Sequence, residues 1–320
     1  KWMVVEADES DGSFLGLPHE INIITNIDIE HLDYYETKNK LINSFGKFIT
    51  NLPFYGYSII CIDNKNLEKL SKKIKIRKII TYAYKIKNAN VKILKIKYEN
   101  MQSEFSIFVE KNTIPNYFGT YQFKINLLGL HNVLNATSAI IASMLLNIST
   151  MNIQKGLINF KGVKRRFTFL GKIKKSFIYD DYAHHPTEIK ASYEIAKHIA
   201  DKKIIVIFQP HRFSRTRNLY NDFIKVLNKI EILYILDIYP AGEKPIKKIN
   251  SKNIVKDLER NKQQVFYIRK KDNINKILSS YYDEKNLIVF MGAGSITHEA
   301  YKLIKENNVR QNSKNFKKIK

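Results

Sequence analysis

Short apolar runs alternate with polar turns and amphipathic helices along the chain. In the second half, residues 203–208, 232–238, 265–269 and 287–291 form apolar runs of strand length, separated by segments with helical spacing. This alternation, from residue 203 onward, is typical of a doubly wound parallel sheet. We therefore predict a Rossmann-like α/β fold for the second half of the chain.

The first half is predicted to be a different α/β arrangement. Residues 2–7 (WMVVEA) have the pattern of a short buried strand, and residues 38–52 that of an amphipathic helix. Further strands are predicted at residues 22–27, 57–62, 79–83, 91–98, 104–109 and 121–127. The later runs alternate apolar and polar residues, which predicts an antiparallel hairpin set. A linker at residues 162–166 then leads into strands at 167–173 and 177–179.

The stretch YDDYAHHPTE, residues 179–188, places two carboxylates and two imidazoles between a strand and a helix. Pro186 suits the first turn of a helix, and apolar residues follow Thr187 at helical spacing. Open α/β sheets present ligand-binding groups at such strand-to-helix turns. The segment is therefore a candidate site, and a polar turn before a capped helix is the alternative.

Other strand ends also carry polar clusters. Carboxylates gather from Glu6 to Asp11, and His31 stands among others at residues 28–33. Two such clusters on neighbouring strand ends predict a divalent-metal site, with Mg²⁺ favoured by the carboxylates. A solvated acidic loop and a structural histidine are the alternatives. Near the end of the chain, GAGS at 292–295 is a weak phosphate-loop pattern.

The composition limits the class of protein. Apolar residues make up 44% and aromatic residues 12% of the chain, as in globular proteins. No apolar run is long enough for a membrane span, and the single cysteine, Cys61, fits a cytoplasmic location. The formal net charge of +24 leaves a nucleic-acid-binding protein as an alternative class. Because the lysines are scattered and no nucleic-acid module is recognisable, we expect no nucleic-acid partner, and a basic field that attracts small anions such as nucleotides.

Taken together, the polar stretches resemble the Mur ligase family. The matching motifs are EADESDGSF, TNIDIEHLDYY, NLPFYG, GLHNVLNA, GVKRRF, DDYAHHPTEI, FQPHRFSRTRNLYNDF and YPAGEKPI, with MGAGSI added at 291–296. The resemblance implies an N-terminal domain that holds a UDP-sugar, a central ATPase domain and a Rossmann-like C-terminal domain. Residues 1–162 are then the remainder of the central ATP-binding domain, 163–306 the amino-acid-binding C-terminal domain, and 307–320 a basic disordered tail.

The phosphate-loop pattern G-x-x-x-x-G-K-[ST] does not occur in the sequence. On the resemblance, we expect the N-terminal domain and the phosphate loop to be supplied by further sequence or by a separate chain. A non-catalytic remnant of such an enzyme is the alternative.

The resemblance also implies an activity. It indicates an ADP-forming carbon–nitrogen ligase of peptidoglycan precursor synthesis, which joins L-alanine to the carboxylate of UDP-N-acetylmuramate through an acyl phosphate. ATP is the phosphoryl donor and Mg²⁺ the implied metal. A sister enzyme that attaches a whole tripeptide in murein recycling shares several motifs, and it is the runner-up because it resembles ESDGSF and QPHRFSRT less.

Site residues carry over from the matching motifs as implications of the resemblance. Glu6 and His31 would hold Mg²⁺. The residues implied to bind ATP are His131, Asn132, Asn135, Arg166 and Asp181. The residues implied to frame L-alanine and the reacting carboxylate are Tyr182, His184, His211, Arg212 and Arg215. Catalytic roles fall to His184, Asp181 and Arg166, with His184 as the hypothetical proton acceptor.

Overall fold

The computed structural model describes residues 2–75, 78–99, 101–259 and 264–318, apart from the side chains of residues 32, 33 and 309–318. The chain divides into two compact units, Lys1–Lys161 and Gly162–Lys320. The division lies one residue before the boundary that the sequence predicts.

The first unit is built on a mixed sheet. Its described strands are β1 (Ile21–Ile24), β2 (Tyr57–Cys61), β3 (Lys78–Ala83), β4 (Val91–Glu99), β5 (Gln102–Ile114) and β6 (Tyr117–Ile125), and its helices are α1 (Leu32–Tyr35), α2 (Lys38–Thr50), α3 (Lys65–Lys73), α4 (Leu130–Leu145) and α5 (Thr150–Asn159). The strands lie in chain order from β1 to β6. β1 to β4 are parallel, whereas β4, β5 and β6 form the antiparallel set that the alternating pattern predicts.

The apolar face of helix α4 packs into the core of the first unit. Its apolar residues Val133, Ile140, Ile141 and Met144 are fully buried and belong to the same core cluster as residues of β2 to β6. Burial of such side chains is the main favourable term in folding. Cys61 lies in this core and is 2% exposed.

The predicted strand at residues 2–7 is wrong. These residues have no regular secondary structure, and Trp2, Met3 and Val4 are 55%, 84% and 97% exposed. Among the described residues no strand pairs with this segment. An apolar pattern alone does not make a strand, because the backbone needs a neighbouring strand for its hydrogen bonds.

The second unit is a doubly wound sheet. Its described strands are β7 (Thr168–Ile173), β8 (Ser176–Asp181), β9 (Ile204–Phe208), β10 (Ile232–Ile235), β11 (Gln264–Tyr267) and β12 (Leu287–Met291), and its helices are α6 (Pro186–Ile199), α7 (Phe213–Asn218), α8 (Tyr220–Leu227), α9 (Ser251–Glu259), α10 (Ile274–Leu278) and α11 (Ile296–Lys318). The strand order is β11-β10-β9-β12-β8-β7, and only β7 among these is antiparallel.

Both faces of this sheet are covered, so its central strands are apolar throughout. In β9, Val206 and Phe208 belong to one core cluster and Ile205 and Ile207 to another, and β12 alternates in the same way. Alternate residues of a strand point to opposite faces, so the two clusters are the two layers between sheet and helices. The doubly wound prediction is confirmed.

Two helices differ from the predicted pattern. The helical segment predicted between the apolar runs 203–208 and 232–238 is two helices in the structure, and Leu219 separates α7 from α8. Helix α11 continues to Lys318, where the sequence predicts a disordered tail; the segment contains no proline or glycine to end a helix. Residues 319 and 320 lie outside the described part. None of the described helices is both long and apolar enough to cross a membrane.

Candidate functional site

The carboxyl ends of β8, β9 and β12 lie side by side in the second unit. Asp181 of β8 and Phe208 of β9 are both register partners of Met291 in β12. The next residues continue the pairing, because Gln209 N donates to Met291 O and Gly292 N donates to Asp181 O. The turns that follow the three strands therefore begin at the same level of the sheet.

These turns bring together aromatic and imidazole rings from distant parts of the sequence. The ring centroids of Tyr182 and His184 are 5.1 Å apart, and those of His184 and His211 are 5.8 Å apart. His211 in turn stacks on Tyr239, with centroids 5.5 Å apart and ring planes at 11°. The predicted substrate-binding residues Tyr182, His184 and His211 thus form one cluster.

The orientation of His184 is set by two oxygen atoms. Its Nδ1 lies 2.9 Å from the carbonyl oxygen of Tyr182 and 3.3 Å from Oε2 of Glu188. Carbonyl and ionised carboxylate oxygens only accept hydrogen bonds, so Nδ1 carries the hydrogen and the lone pair of a neutral ring is on Nε2. This is the arrangement in which an imidazole accepts a proton at Nε2.

Glu188 also holds the start of α6. Its Oε2 accepts hydrogen bonds from the backbone N–H groups of His184 and His185, which completes a capping box around His185. Its Oε1 accepts from Nη1 of Arg166 at 3.0 Å. Burial acts to raise the pKa of Glu188, but His184 and Arg166 hold it below its ordinary value. The carboxylate therefore stays ionised beside His184.

His211 is a neutral imidazole next to an arginine. Nη1 of Arg215 lies 3.1 Å from Nδ1 of His211, and because a guanidinium only donates, Nδ1 is the acceptor. Burial, and then the positive charge of Arg215, lower the pKa of His211 to about 4. The ring is therefore uncharged near neutral pH, with its hydrogen on Nε2.

Arg212 has an unusual backbone conformation at the start of α7. Its φ is 68°, in the left-handed region that residues with a side chain rarely adopt. Its N–H donates to Tyr239 O at 2.8 Å, and its buried Nε has no hydrogen-bond partner among the described residues. One helical turn separates Arg212 from Arg215, so two guanidinium groups accompany the neutral ring of His211.

Asp181 is held inside the unit rather than presented to solvent. It is 3% exposed, and its two oxygens accept hydrogen bonds from Ala183 N at 2.8 Å and Ser192 Oγ at 2.6 Å. Burial raises its pKa to about 6. These contacts give Asp181 a structural part, that of fixing the turn which carries Tyr182 and His184.

Buried Asp180 and partly exposed Arg165 form an ion pair behind the same turn. Asp180 is fully buried, accepts from Thr297 Oγ1 at 3.1 Å, and lies 3.8 Å from Nε of Arg165. Burial raises the pKa of Asp180. The guanidinium carbon of Arg165 is 4.5 Å from the ring centroid of Tyr182. Arg165 therefore holds Tyr182 from one side by a cation–π contact.

The glycines of the GAGS turn are explained by close packing. A Cβ at Gly292 would lie 2.8 Å from Gln209 O, and its φ is +152°. A Cβ at Gly294 would lie 2.6 Å from both Gln209 Oε1 and Tyr239 Cγ. These glycines let the turn approach Gln209 and Tyr239, which accounts for the pattern without a phosphate.

The residues implied to hold a metal, Glu6 and His31, both lie in the first unit. Glu6 is exposed, and the contacts shown for His31 are to Glu9 at 3.7 Å and Glu30 at 3.8 Å. In the part of the chain that the structure describes, no group of three or more histidine, cysteine, aspartate or glutamate side chains is arranged to hold a metal. Mg²⁺ is often held by one or two protein side chains together with water and phosphate oxygens, so Glu6 and His31 as its ligands stay a prediction.

The residues implied to bind a nucleotide lie at the start of α4. The side-chain amide of Asn132 donates to Leu128 O at 2.7 Å, which ties the first turn of α4 to the segment before it, and the helix has no side-chain cap hydrogen bond. Asn135 is exposed and His131 is half-buried. The three residues share one helix end, as the motif predicts.

Sequence reasoning assigned no role to several residues of the second-unit cluster. Glu188 could have been found, because a glutamate three residues after a helix cap is the signature of a capping box. Tyr239, Arg165 and Glu243 carry no comparable local signal, since their partners are distant in sequence.

Comparisons with known proteins show which family the sequence resembles. Family models for the Mur ligase middle domain and for the Mur ligase glutamate ligase domain match residues 2–143 and 165–294. The UDP-N-acetylmuramate–L-alanine ligase of Rickettsia felis is 43% identical over 310 residues, which are 94% of this chain and 64% of that protein. The corresponding ligase of Rickettsia typhi is 42% identical, over 94% of this chain and 62% of its own length.

Solved structures show the same fold. The UDP-N-acetylmuramate–alanine ligase of Thermotoga maritima matches with a TM-score of 0.75 and 23% identity, over 95% of this chain and 63% of that one. A murein peptide ligase of Psychrobacter arcticus matches with a TM-score of 0.61 and 20% identity, over 92% of this chain and 58% of that one. The chain thus spans a little under two thirds of the length of these relatives. With the middle domain and the glutamate ligase domain in order along one chain, the protein belongs to the Mur ligase family.

Proposed function

We propose that this chain is the part of a UDP-N-acetylmuramate–L-alanine ligase that binds L-alanine and promotes its attack on the activated muramic carboxylate. The observation that carries the proposal is the cluster of His184, His211, Arg212 and Arg215 at the strand ends of the second unit. The named relatives at 42–43% identity support the choice of L-alanine over a tripeptide.

The proposed reaction has two stages. The γ-phosphoryl group of ATP passes to a carboxylate oxygen of UDP-N-acetylmuramate, which gives an acyl phosphate and ADP. The nitrogen of L-alanine then forms a bond to the acyl carbon, and the bond from that carbon to the phosphate oxygen breaks, releasing phosphate. L-alanine carries an ammonium group at neutral pH, which must lose a proton before its nitrogen can attack and a second proton as the amide forms, so the second stage needs a proton acceptor.

The arginines suit the carboxylate of the amino acid. A guanidinium binds a carboxylate through two parallel N–H donors, and such charge-assisted hydrogen bonds are stronger than neutral ones. Arg215 is half-buried, and its Nη1 donates to the neutral ring of His211 next to Arg212. We propose that Arg215, with Arg212, binds the L-alanine carboxylate.

We propose His184 as the proton acceptor. Its hydrogen on Nδ1 leaves the Nε2 lone pair to accept a proton, and the ionised Glu188 stabilises the imidazolium that forms. In a whole enzyme that contains this chain, His184→Ala should remove the acidic limb of the pH–rate profile. A profile with an unchanged acidic limb would assign the proton transfer elsewhere.

ATP, a cytoplasmic location and the nucleotide contacts of His131, Asn132 and Asn135 belong to the same proposal. Arg166 is 54% exposed and paired with Glu188, which leaves it accessible to a phosphate group. Asp181 is proposed to act through the turn that it holds, because its oxygens already accept two hydrogen bonds.

The test is binding of L-alanine to the purified 320-residue chain, measured by calorimetry or by NMR titration. Arg215→Ala should weaken L-alanine binding by about tenfold or more, as expected for loss of a charge-assisted pair. The matched control is Arg217→Ala, which changes an exposed arginine of the same helix. Equal affinity in the two variants would contradict the proposal, and preference for a tripeptide over L-alanine would favour the murein-recycling alternative.

A further inference from the structure

Glu243 lies on the turn after β10 and makes its contacts 29 residues earlier in the chain, at the first turn of α7. Its Oε2 accepts from the backbone N–H of Ser214 at 2.9 Å, and its Oε1 accepts from the Ser214 hydroxyl at 2.5 Å. Helix α7 has no capping hydrogen bond from its own preceding side chain, that of Arg212. Glu243, on another turn, therefore accepts the hydrogen bond from a free N–H group at the helix start that a neighbouring cap residue usually accepts.

The second contact between these segments is on the other side of Arg212. Arg212 N donates to Tyr239 O and Tyr239 N donates to Pro210 O, both at 2.8 Å, as a short parallel bridge. Arg212 is thus held by Tyr239 before it and, through Ser214, by Glu243 after it. A left-handed backbone costs roughly 1–3 kcal/mol at a residue with a side chain and persists only where its surroundings fix it. The turn at residues 239–243 provides that constraint.

The direction of the site side chains follows from this constraint. The ring of His211 stacks on Tyr239, and Arg215 donates to that ring. If the start of α7 were released from Glu243, the backbone at Arg212 would relax to an ordinary conformation. Arg212 would then point elsewhere, and Arg215 would lose its fixed partner.

We propose that Glu243 is a positioning residue for the amino-acid carboxylate: it fixes the start of α7 so that Arg212 and Arg215 face the same ligand group. This inference rests on the proposed function, because it assumes that the two arginines bind the carboxylate. Glu243 itself touches Ser214 and is not placed against the ligand. Its charge also balances that of Arg212, one of the groups that keep the pKa of Glu243 below its ordinary value against the opposing effect of burial.

The experiment compares two probes, L-alanine and L-alaninamide, which lacks the carboxylate charge. The preference of the 320-residue chain for L-alanine over L-alaninamide measures how well the arginines are placed. Glu243→Ala should reduce that preference by about tenfold, and Glu243→Gln, which keeps one acceptor oxygen, should reduce it less. Glu231→Gln, an exposed glutamate on the same unit, should leave it unchanged.

Amide hydrogen exchange at Ser214 and thermal unfolding complete the test. Faster exchange at residues 213–216 with an unfolding midpoint close to that of the unchanged chain is the expected result for a positioning residue. If Glu243→Ala does not fold, Glu243→Gln and Ser214→Ala provide the same comparison. A stable Glu243→Ala variant with full preference for L-alanine would overturn the inference and leave the proposed function intact. No preference in the unchanged chain, or none lost in Arg215→Ala, would overturn both.

Discussion

His211 is half-buried beside Arg215, and these surroundings decide its charge. Burial first, and then the positive charge of Arg215, lower its pKa from 6.5 to about 4. A lowered folded-state pKa means that His211 contributes stability above pH 6.5, and that this contribution is lost as the pH falls toward 4. At neutral pH the ring is a hydrogen-bonding group rather than a cation.

An NMR titration of the imidazole signals checks this prediction. We expect the midpoint for His211 near pH 4, and we expect Arg215→Ala to raise the midpoint because one positive charge is removed while burial remains. A midpoint near 6.5 for His211 would show that burial and the arginines do not act on the ring as described.

The buried aspartates show what a residue type alone leaves open. The DD pair lies at the end of β8, and Asp180 and Asp181 are almost fully buried. Their oxygens accept from Thr297 Oγ1 and Ser192 Oγ, and Thr297 is 117 positions from Asp180 along the chain. A residue type gives the chemistry of a group, whereas its surroundings are a property of the fold.

At the scale of elements, the glycines of the GAGS turn give a direct test of packing. Gly294→Ala places a Cβ 2.6 Å from Tyr239 Cγ and Gln209 Oε1, which are atoms of two neighbouring turns. We expect a loss of about 1–3 kcal/mol in the free energy of unfolding, as for other overpacked sites. Since Tyr239 stacks on His211, the imidazole signals of His211 should also shift.

Gly156→Ala is the matched substitution. Gly156 lies in α5 with an open surrounding, and alanine there should stabilise its unit by about 0.5–1 kcal/mol. Chemical denaturation should show that the free energy of unfolding falls in Gly294→Ala and rises in Gly156→Ala. A neutral effect of Gly294→Ala would mean that Tyr239 moves away at little cost.

Most of the strands were predictable because their apolar patterns are long and regular. The antiparallel set in the first unit and the doubly wound sheet in the second follow from alternation and from buried apolar runs. The segment from Trp2 to Val5 has the same local pattern and fails, because pairing depends on a neighbour and not on the pattern. The join between α7 and α8 was missed because helical spacing continues through Leu219.

The candidate site was predictable to the same extent. The carboxyl ends of parallel strands share one edge of a sheet, so the clusters at His184, His211 and Arg212 had to lie near one another. What the sequence could not show is the set of residues that hold them: Glu243 and Ser214 are 29 positions apart, and their contact exists only in the folded unit.

At the scale of the whole molecule, charge is the dominant feature. The formal net charge is +24, and the exposed lysines far outnumber the ion pairs that the described residues show. Such a field raises the local concentration of anions and weakens with ionic strength. The proposed substrates, ATP and UDP-N-acetylmuramate, are both anionic, so the field favours their approach without specifying either.

The single cysteine, Cys61, lies in the first unit, so its reactivity can report on the opening of that unit. Cys61 is sealed in the core of that unit, and burial raises its pKa to about 11, so the nucleophilic thiolate is suppressed twice over. An alkylating reagent reaches the sulfur only when β2 separates from its neighbours. The rate of labelling therefore measures how often the first unit opens. The second unit has no thiol and does not contribute to this rate.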